Sequence, residues 1–151
     1  MPWERLDNKR IIALSLSLRE SKMTVNDIRP LARTSEGDAD FQNNELDLLA
    51  GKISEARDRR KQVILMMGAH VLRRGNSRFI IDLMERGVIT HIATNGAVAI
   101  HDFELSFWGA TLEDVEVYIK DGKFGNWQET GEYINRAIIR GHINNRGFGE
   151  S

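Results

Sequence analysis

The run Val63-Ile64-Leu65-Met66-Met67, which Gly68 ends, constrains the fold of this chain more than any other feature. A strand with apolar residues at successive positions is typical of a parallel sheet that is covered on both faces. A second apolar run, Val88 to Thr94, begins about 25 residues after the first, which is the spacing of a parallel pair joined by a crossover. The two runs therefore predict neighbouring parallel strands.

The segment between these strands has the pattern of a helix. Asn76 or Ser77 can cap its first turn, and Gly87 can end it at the position after the C-cap. Strand, helix and strand in this order predict a right-handed βαβ crossover. We therefore predict an α/β fold with a parallel sheet and flanking helices, and a ligand-sized crevice where the turns after the two strands meet.

The flanking segments give shorter signals. In chain order, we predict a strand or an arm over 11–18, a helix over 25–32 capped by Thr24, a polar loop over 33–44, an amphipathic helix over 44–61, a helix over 111–121 and a last helix that ends near Gly141.

Length and composition bound the class of protein. A chain of 151 residues fits a single domain over 1–151, in which 1–43 would be an N-terminal arm and loop and 144–151 a frayed tail. The balance of 21 basic and 22 acidic side chains predicts neither nucleic acid nor a membrane surface as partner. The sequence contains no cysteine, which excludes a thiolate nucleophile, and it has no paired-histidine metal motif. No apolar run approaches the ~20 residues that span a bilayer, and we expect a cytoplasmic protein.

Both turns after the predicted strands are candidate cofactor sites. The first is Gly68-Ala69-His70 and the second is Thr94-Asn95-Gly96. Glycine permits a positive φ and a close approach of ligand to backbone. Neither turn matches a nucleotide-binding fingerprint, so glycines that only shape tight turns remain the alternative.

The candidate substrate-binding residues are His101, Asp102 and Glu104. On a helix His101 and Glu104 share a face, and an imidazole beside a carboxylate could hold a cationic amine or transfer a proton. The alternative is a packed histidine with solvated carboxylates. His91, in the middle of a predicted strand, is expected to be packed, and Phe107 with Trp108 to form core or subunit contacts.

Three stretches, Ile64 to Gly75, Ile80 to Gly87 and Ala93 to Glu104, together resemble the deoxyhypusine synthase family over about residues 60–120. The resemblance implies a Rossmann-like parallel sheet with flanking helices in an NAD/FAD-binding fold that touches NAD at the two glycine turns. The family's acidic pair would fall near His101 and Asp102. It also implies NAD-dependent transfer of an aminoalkyl group from a polyamine, in a homo-oligomer.

The resemblance has departures. The family has Ser-Asn where this chain has Ala69-His70, and its catalytic lysine segment is absent, so the chemistry would be incomplete here. A non-catalytic assembly or regulatory subunit, or a domain for another nucleotide, are the alternative hypotheses.

Overall fold

Short strands alternate with helices through much of the chain. The computed structural model describes residues 7–31 and 43–151. The strands in these ranges are β1 (Ser21–Thr24), β2 (Ile64–Met67), β3 (His91–Thr94) and β4 (Ala110–Glu113). The α-helices there are α1 (Asn44–Asp58), α2 (His70–Arg73), α3 (Ser77–Glu85), α4 (Gly96–Trp108), α5 (Val115–Lys120) and α6 (Gln128–Ile143). Of the helices described, none is both long and apolar enough to span a membrane.

The contacts divide the chain into two compact units. Unit 1 combines the residues up to Thr24 with Asp102–Ser151, and unit 2 is Val25–His101. The sheet pairs within each unit are separate, with β1 and β4 in unit 1 and β2 and β3 in unit 2. A single domain over 1–151, with an arm over 1–43, stays a prediction.

In unit 2 the parallel pair is confirmed. The register runs from Ile64 opposite His91 to Met67 opposite Thr94. Thr90 fixes the start of this register, because its hydroxyl accepts a hydrogen bond from the Val63 N–H at 2.8 Å. Helix α3 lies between the two strands in sequence, as predicted, and Gly87 follows it with a φ of +65°.

Cover on both faces of β2 was a wrong prediction. Leu65 and Met67 are half-buried, whereas the side chains on the other face, Ile64 and Met66, are 57% and 80% exposed. A continuous apolar run therefore does not guarantee that both faces of a strand are buried. Burial depends on which other segments pack on the strand, and the run itself does not specify them.

Gly75 holds the turn between α2 and α3 against the segment that follows β1. Its φ is +74°, and a Cβ atom at this position would overlap the carbonyl oxygen of Asp27. The Arg29 N–H donates to the Gly75 carbonyl at 2.9 Å. The glycine is thus required both by its left-handed backbone and by the close approach of a second segment.

Unit 1 is built on the antiparallel pair of β1 and β4, in which Met23 lies opposite Thr111. Leu14 extends this unit through a parallel bridge, because its N–H donates to the Asn126 carbonyl and its carbonyl accepts from the Gln128 N–H, both at 2.8 Å. Leu16, Met23, Leu105 and Trp127 form the buried apolar side chains of the unit.

Two predictions before residue 33 are wrong. Over 11–18 the strand, one of the two alternatives, is wrong, because the segment contains a 3-10 turn at Leu16–Leu18, which the Ser15 hydroxyl caps by accepting from the Ser17 N–H. Serines that alternate with leucines compete for the backbone through such local bonds. The helix expected from Val25 is only a 3-10 turn at Val25–Asp27, and Pro30 disfavours helical backbone at the residue before it.

The helix predicted to start at residue 111 is also wrong at its beginning. Residues 110–113 form β4, and α5 begins only at Val115, after Asp114 has capped it. Helix α1 confirms the amphipathic helix over 44–61, although it ends at Asp58, and α6 ends close to the predicted residue. In the predicted loop, residues 33–42 lie outside the described residues. The expected frayed tail contains a 3-10 turn at Phe148–Glu150.

Candidate functional site

An open crevice of about 400 Å³ lies at the carboxyl ends of β2 and β3. Its lining comprises Met66, Met67, Gly68, Ala93, Thr94 and Asn95. Three of these, Gly68, Thr94 and Asn95, come from the two turns that the sequence singles out. The parallel register is what brings them together, because it places the ends of both strands at the same edge.

Gly68 and Asn95 face each other across this crevice. The Asn95 Nδ2 atom lies 3.8 Å from the point that a Cβ on Gly68 would occupy. Neither Gly68 nor Gly96 is among the glycines of positive φ, so these two turns do not use the left-handed backbone that glycine permits. What Gly68 contributes is open space at the end of β2.

The other residues proposed for the cofactor lie beside the crevice lining. Ala69 is the N-cap residue of α2, and His70 is an exposed residue of its first turn. Gly96 is the exposed first residue of α4, and a Cβ atom added to it would meet nothing within 4 Å. A role for Ala69, His70 and Gly96 in binding a cofactor stays a prediction.

The three candidate substrate residues lie on α4 in different environments. His101 is half-buried, Asp102 is exposed and Glu104 is 2% exposed. Glu104 differs most from its expected role, because its carboxylate points into unit 1 and is already bound by side chains of the protein. An amine-binding role for His101 and Asp102 stays a prediction.

Glu104 is the centre of a buried polar cluster. Arg19 donates two hydrogen bonds to it in a fork, Nη1 to Oε1 at 2.8 Å and Nη2 to Oε2 at 2.9 Å. The Thr130 hydroxyl donates to Oε1 at 2.7 Å, and the Thr111 hydroxyl donates to Oε2. The Arg19 guanidinium also lies 5.4 Å from the centre of the Trp127 ring. Every oxygen of this carboxylate is therefore used inside unit 1.

Two opposing effects set the pKa of Glu104. Burial raises the pKa, but the hydrogen bonds from Arg19, Thr111 and Thr130, with the positive charge of Arg19, outweigh burial and hold it below the ordinary 4.5. The carboxylate is therefore charged at neutral pH, and its partners neutralise it. Such a bidentate, fully bonded pair organises a fold and leaves no free group for catalysis.

Sequence reasoning missed most of this cluster. Arg19 and Glu104 are 85 positions apart, and nothing in the residues around Arg19 marks it as a partner. The sequence also did not identify the apolar residues of the crevice lining, Met66, Met67 and Ala93, because they lie within the apolar runs that predict the two strands. The last residues of a strand that ends in a ligand-binding turn also lie at the edge where the ligand binds. The position of Met66, Met67 and Ala93 just before the two turns could therefore have identified them as crevice residues.

Two further expectations concern aromatic and histidine side chains. His91 is exposed at the start of β3, so the expected packing is wrong, because the strand begins three residues later than the apolar run. Phe107 and Trp108 are exposed too, which excludes a core role. Phe107 stacks on Phe103 with ring centres 5.2 Å apart and meets Tyr133 at 5.0 Å. A subunit contact at these rings stays a prediction.

A comparison with known protein families finds a match to this chain. The family described as "Arginine dihydrolase ArgZ-like, C-terminal, Rossmann fold" matches residues 47–145. No curated protein and no solved structure matches the chain. The match includes both strands of the parallel pair and the whole crevice lining.

This match overturns the resemblance to deoxyhypusine synthase, and with it the aminoalkyl transfer from a polyamine. The stretches that carried the resemblance are strand, glycine turn and helix units, which recur in unrelated Rossmann folds. They identified the fold class and not the family. The chain belongs to the family of ArgZ-like arginine dihydrolase C-terminal Rossmann-fold domains.

Proposed function

We propose that this chain is the dinucleotide-binding domain of an ArgZ-like protein and that NAD binds at the crevice between Gly68 and Asn95. The observation that carries the proposal is the position of this crevice, at the carboxyl ends of two adjacent parallel strands in a Rossmann-fold family. Ligands of open α/β sheets bind outside that edge. NAD would supply a hydride acceptor or donor to the reaction.

The lining has the chemistry that a dinucleotide needs. Met66, Met67 and Ala93 offer apolar surface to a planar ring, and the Thr94 hydroxyl and the Asn95 amide offer hydrogen bonds to ribose or phosphate oxygens. Gly68 leaves the space through which a ligand can approach the backbone. These are common features of sites that orient a cofactor by a few polar groups in an apolar cleft.

The small-molecule partner that we propose is an amino acid related to arginine, after the name of the family. We propose that the exposed carboxylate of Asp102 on α4, which follows His101 in the sequence, binds the cationic group of this amino acid. Because the chain has no cysteine, it cannot hydrolyse a guanidinium through a thiolate. We therefore assign to this chain the binding of the cofactor and not the hydrolysis of a guanidinium group.

Isothermal titration with NAD and NADH tests the proposal. We expect saturable binding, and at least a tenfold loss of affinity in Gly68→Leu, whose side chain fills the space facing Asn95. Gly131→Leu is the matched control, since Gly131 is an exposed glycine of α6 with no neighbour within 4 Å. Circular dichroism establishes that both variants are folded.

Absence of binding at millimolar NAD would contradict the proposal. So would an equal affinity of Gly68→Leu and Gly131→Leu, because the ligand would then lie elsewhere. ADP-ribose and FAD in the same titration distinguish a site for NAD from one that accepts any adenine nucleotide.

A further inference from the structure

Helix α1 carries an apolar face whose first half, at Leu46 and Leu49, is exposed in the described part of the chain. None of its residues is buried, and Leu46 and Leu49 are 50% and 52% exposed. Ile53 and Ala56, further along the same face, are half-buried. A stable helix whose apolar residues are this exposed is typical of an interaction surface.

The spacing of these residues specifies the kind of surface. Leu46, Leu49, Ile53 and Ala56 follow one another at intervals of three, four and three, which are the a and d positions of a heptad. A narrow stripe of this kind packs against another helix, whereas a helix that covers a sheet or core usually presents a broader face. The stripe fits a helical partner of similar length.

We infer that α1 packs antiparallel against α1 of a second copy of this chain. In that arrangement Leu46 meets Ala56 of the other copy, and Leu49 meets Ile53. The two contacts occur twice, as a twofold interface requires. The apolar stripe is thereby complementary to itself in shape.

The charges on α1 favour this antiparallel direction. Glu45 lies in its first turn and Arg59 at its C-cap, on the same side of the apolar stripe. An antiparallel copy brings Glu45 next to Arg59 of the other chain at both ends of the interface, whereas a parallel copy would place like charges side by side. The Arg59 side chain forms an exposed ion pair with Glu55 at 2.8 Å, which a new partner can replace at little cost.

Lys52 is the one charge on α1 that this arrangement does not favour. It lies on the side of the stripe that also carries Glu45, and near the twofold axis it faces the same lysine of the other copy. Its long side chain can extend along the helix surface and keep the ammonium group in water. The attraction between Glu45 and Arg59 at both ends and the burial of the apolar stripe therefore exceed the repulsion between the two lysines.

Two adjacent leucines provide a matched test. Leu49 lies in the stripe, and Leu48, which is 62% exposed, lies outside it. Sedimentation equilibrium of the 151-residue chain over a concentration series should show a monomer–dimer equilibrium. Leu49→Asp should weaken the dimer at least tenfold, and Leu48→Asp should leave its dissociation constant within twofold of the parent.

Charge exchange tests the direction of packing. Glu45→Lys and Arg59→Glu should each weaken the dimer, and an equimolar mixture of the two variants should recover the affinity of the parent as a heterodimer. Asp47→Lys is the control, because Asp47 is in the same first turn but on the opposite side of the helix. Circular dichroism reports whether each variant keeps its helix content.

A chain that stays monomeric at every concentration would overturn the inference, and α1 would then be covered by a different protein segment. A dimer that Leu49→Asp does not weaken would overturn it as well. If the mixture of Glu45→Lys and Arg59→Glu does not recover the dimer, the antiparallel arrangement is wrong. None of these outcomes depends on whether the chain binds NAD.

Discussion

At the scale of single residues, Gly75 and Glu104 are both tightly constrained by their neighbours, and neither belongs to the crevice lining. Gly75 allows two segments of unit 2 to approach, and Glu104 collects three side chains inside unit 1. Both are defined by contacts with residues distant in sequence. Their substitution tests the packing of each unit independently of any ligand.

Gly75→Ala should destabilise the protein considerably more than Gly87→Ala. Both glycines have a positive φ, so each alanine costs about 1 kcal/mol of backbone strain. Only at Gly75 would the added Cβ overlap the carbonyl oxygen of Asp27, which adds about 1 to 3 kcal/mol of overpacking. Urea unfolding of the two variants measures the difference, and equal losses would show that the close approach is absent in solution.

Removing either partner of the buried pair should cost about 3 to 5 kcal/mol, because the remaining group is buried without compensation. Arg19→Met leaves the negative charge of the carboxylate unpaired. Glu104→Gln leaves the positive charge of the guanidinium unpaired, and its single amide oxygen replaces only one of the two oxygens that accept from Thr130 and Thr111. The double variant should therefore lose much less than the sum of the two losses. A double-mutant cycle in urea checks this, and additive losses would mean that the two side chains do not interact.

At the scale of elements, the sequence predicts helices and strands best where periodicity and local capping agree. Helix α3 and the pair β2–β3 were predicted because an apolar pattern and a terminating glycine coincide there. Strand β4 was missed, since Leu112 adopts a φ of +71° within it and no local signal favours a left-handed leucine. Cross-strand pairing with β1 decides the structure of that segment.

Asp114→Ala should destabilise α5 by about 1 kcal/mol, the usual cost of losing an N-cap. The Asp114 carboxylate accepts from the Glu116 and Val117 N–H groups, and it also pairs with Lys22 at 2.7 Å. Asp114→Asn is the control, because asparagine retains the capping oxygen and removes the charge. Thermal unfolding should rank Asp114→Ala well below Asp114→Asn; equal midpoints would mean that charge, not capping, stabilises this helix.

At the scale of the whole molecule, the two units differ in their carboxylates. Among the described residues, the carboxylates whose pKa the structure lowers are Glu104, Asp114, Asp121 and Glu129, and all of them belong to unit 1. At Glu104 burial opposes the lowering of the pKa, and three hydrogen-bond donors produce it. At Glu129 the main cause of the lowered pKa is the hydrogen bond from Ser15.

Acidification should therefore weaken unit 1 before unit 2. A carboxylate with a lowered pKa in the folded state stabilises the protein above its unfolded pKa, and this contribution is lost as the pH falls through the folded pKa. The loss should begin as the pH drops below about 4.5, the ordinary value for glutamate. Hydrogen exchange between pH 6 and pH 3, roughly the range over which carboxylates titrate, should show earlier loss of protection in α6 than in α3. Simultaneous loss of protection in α6 and α3 would contradict the expectation that unit 1 is weakened first.

The parallel strand pair, its intervening helix and the crevice edge are predictable from the amino-acid sequence, because apolar periodicity and glycine turns are local properties of the chain. It could not determine the family, since strand, turn and helix units are shared by many Rossmann folds. The hydrogen bonds between Glu104 and Arg19 and the exposure of Leu46 and Leu49 on α1 became known only from the three-dimensional contacts. Burial and pairing of side chains depend on segments that are far apart in sequence, and local sequence patterns do not specify which of these segments come into contact.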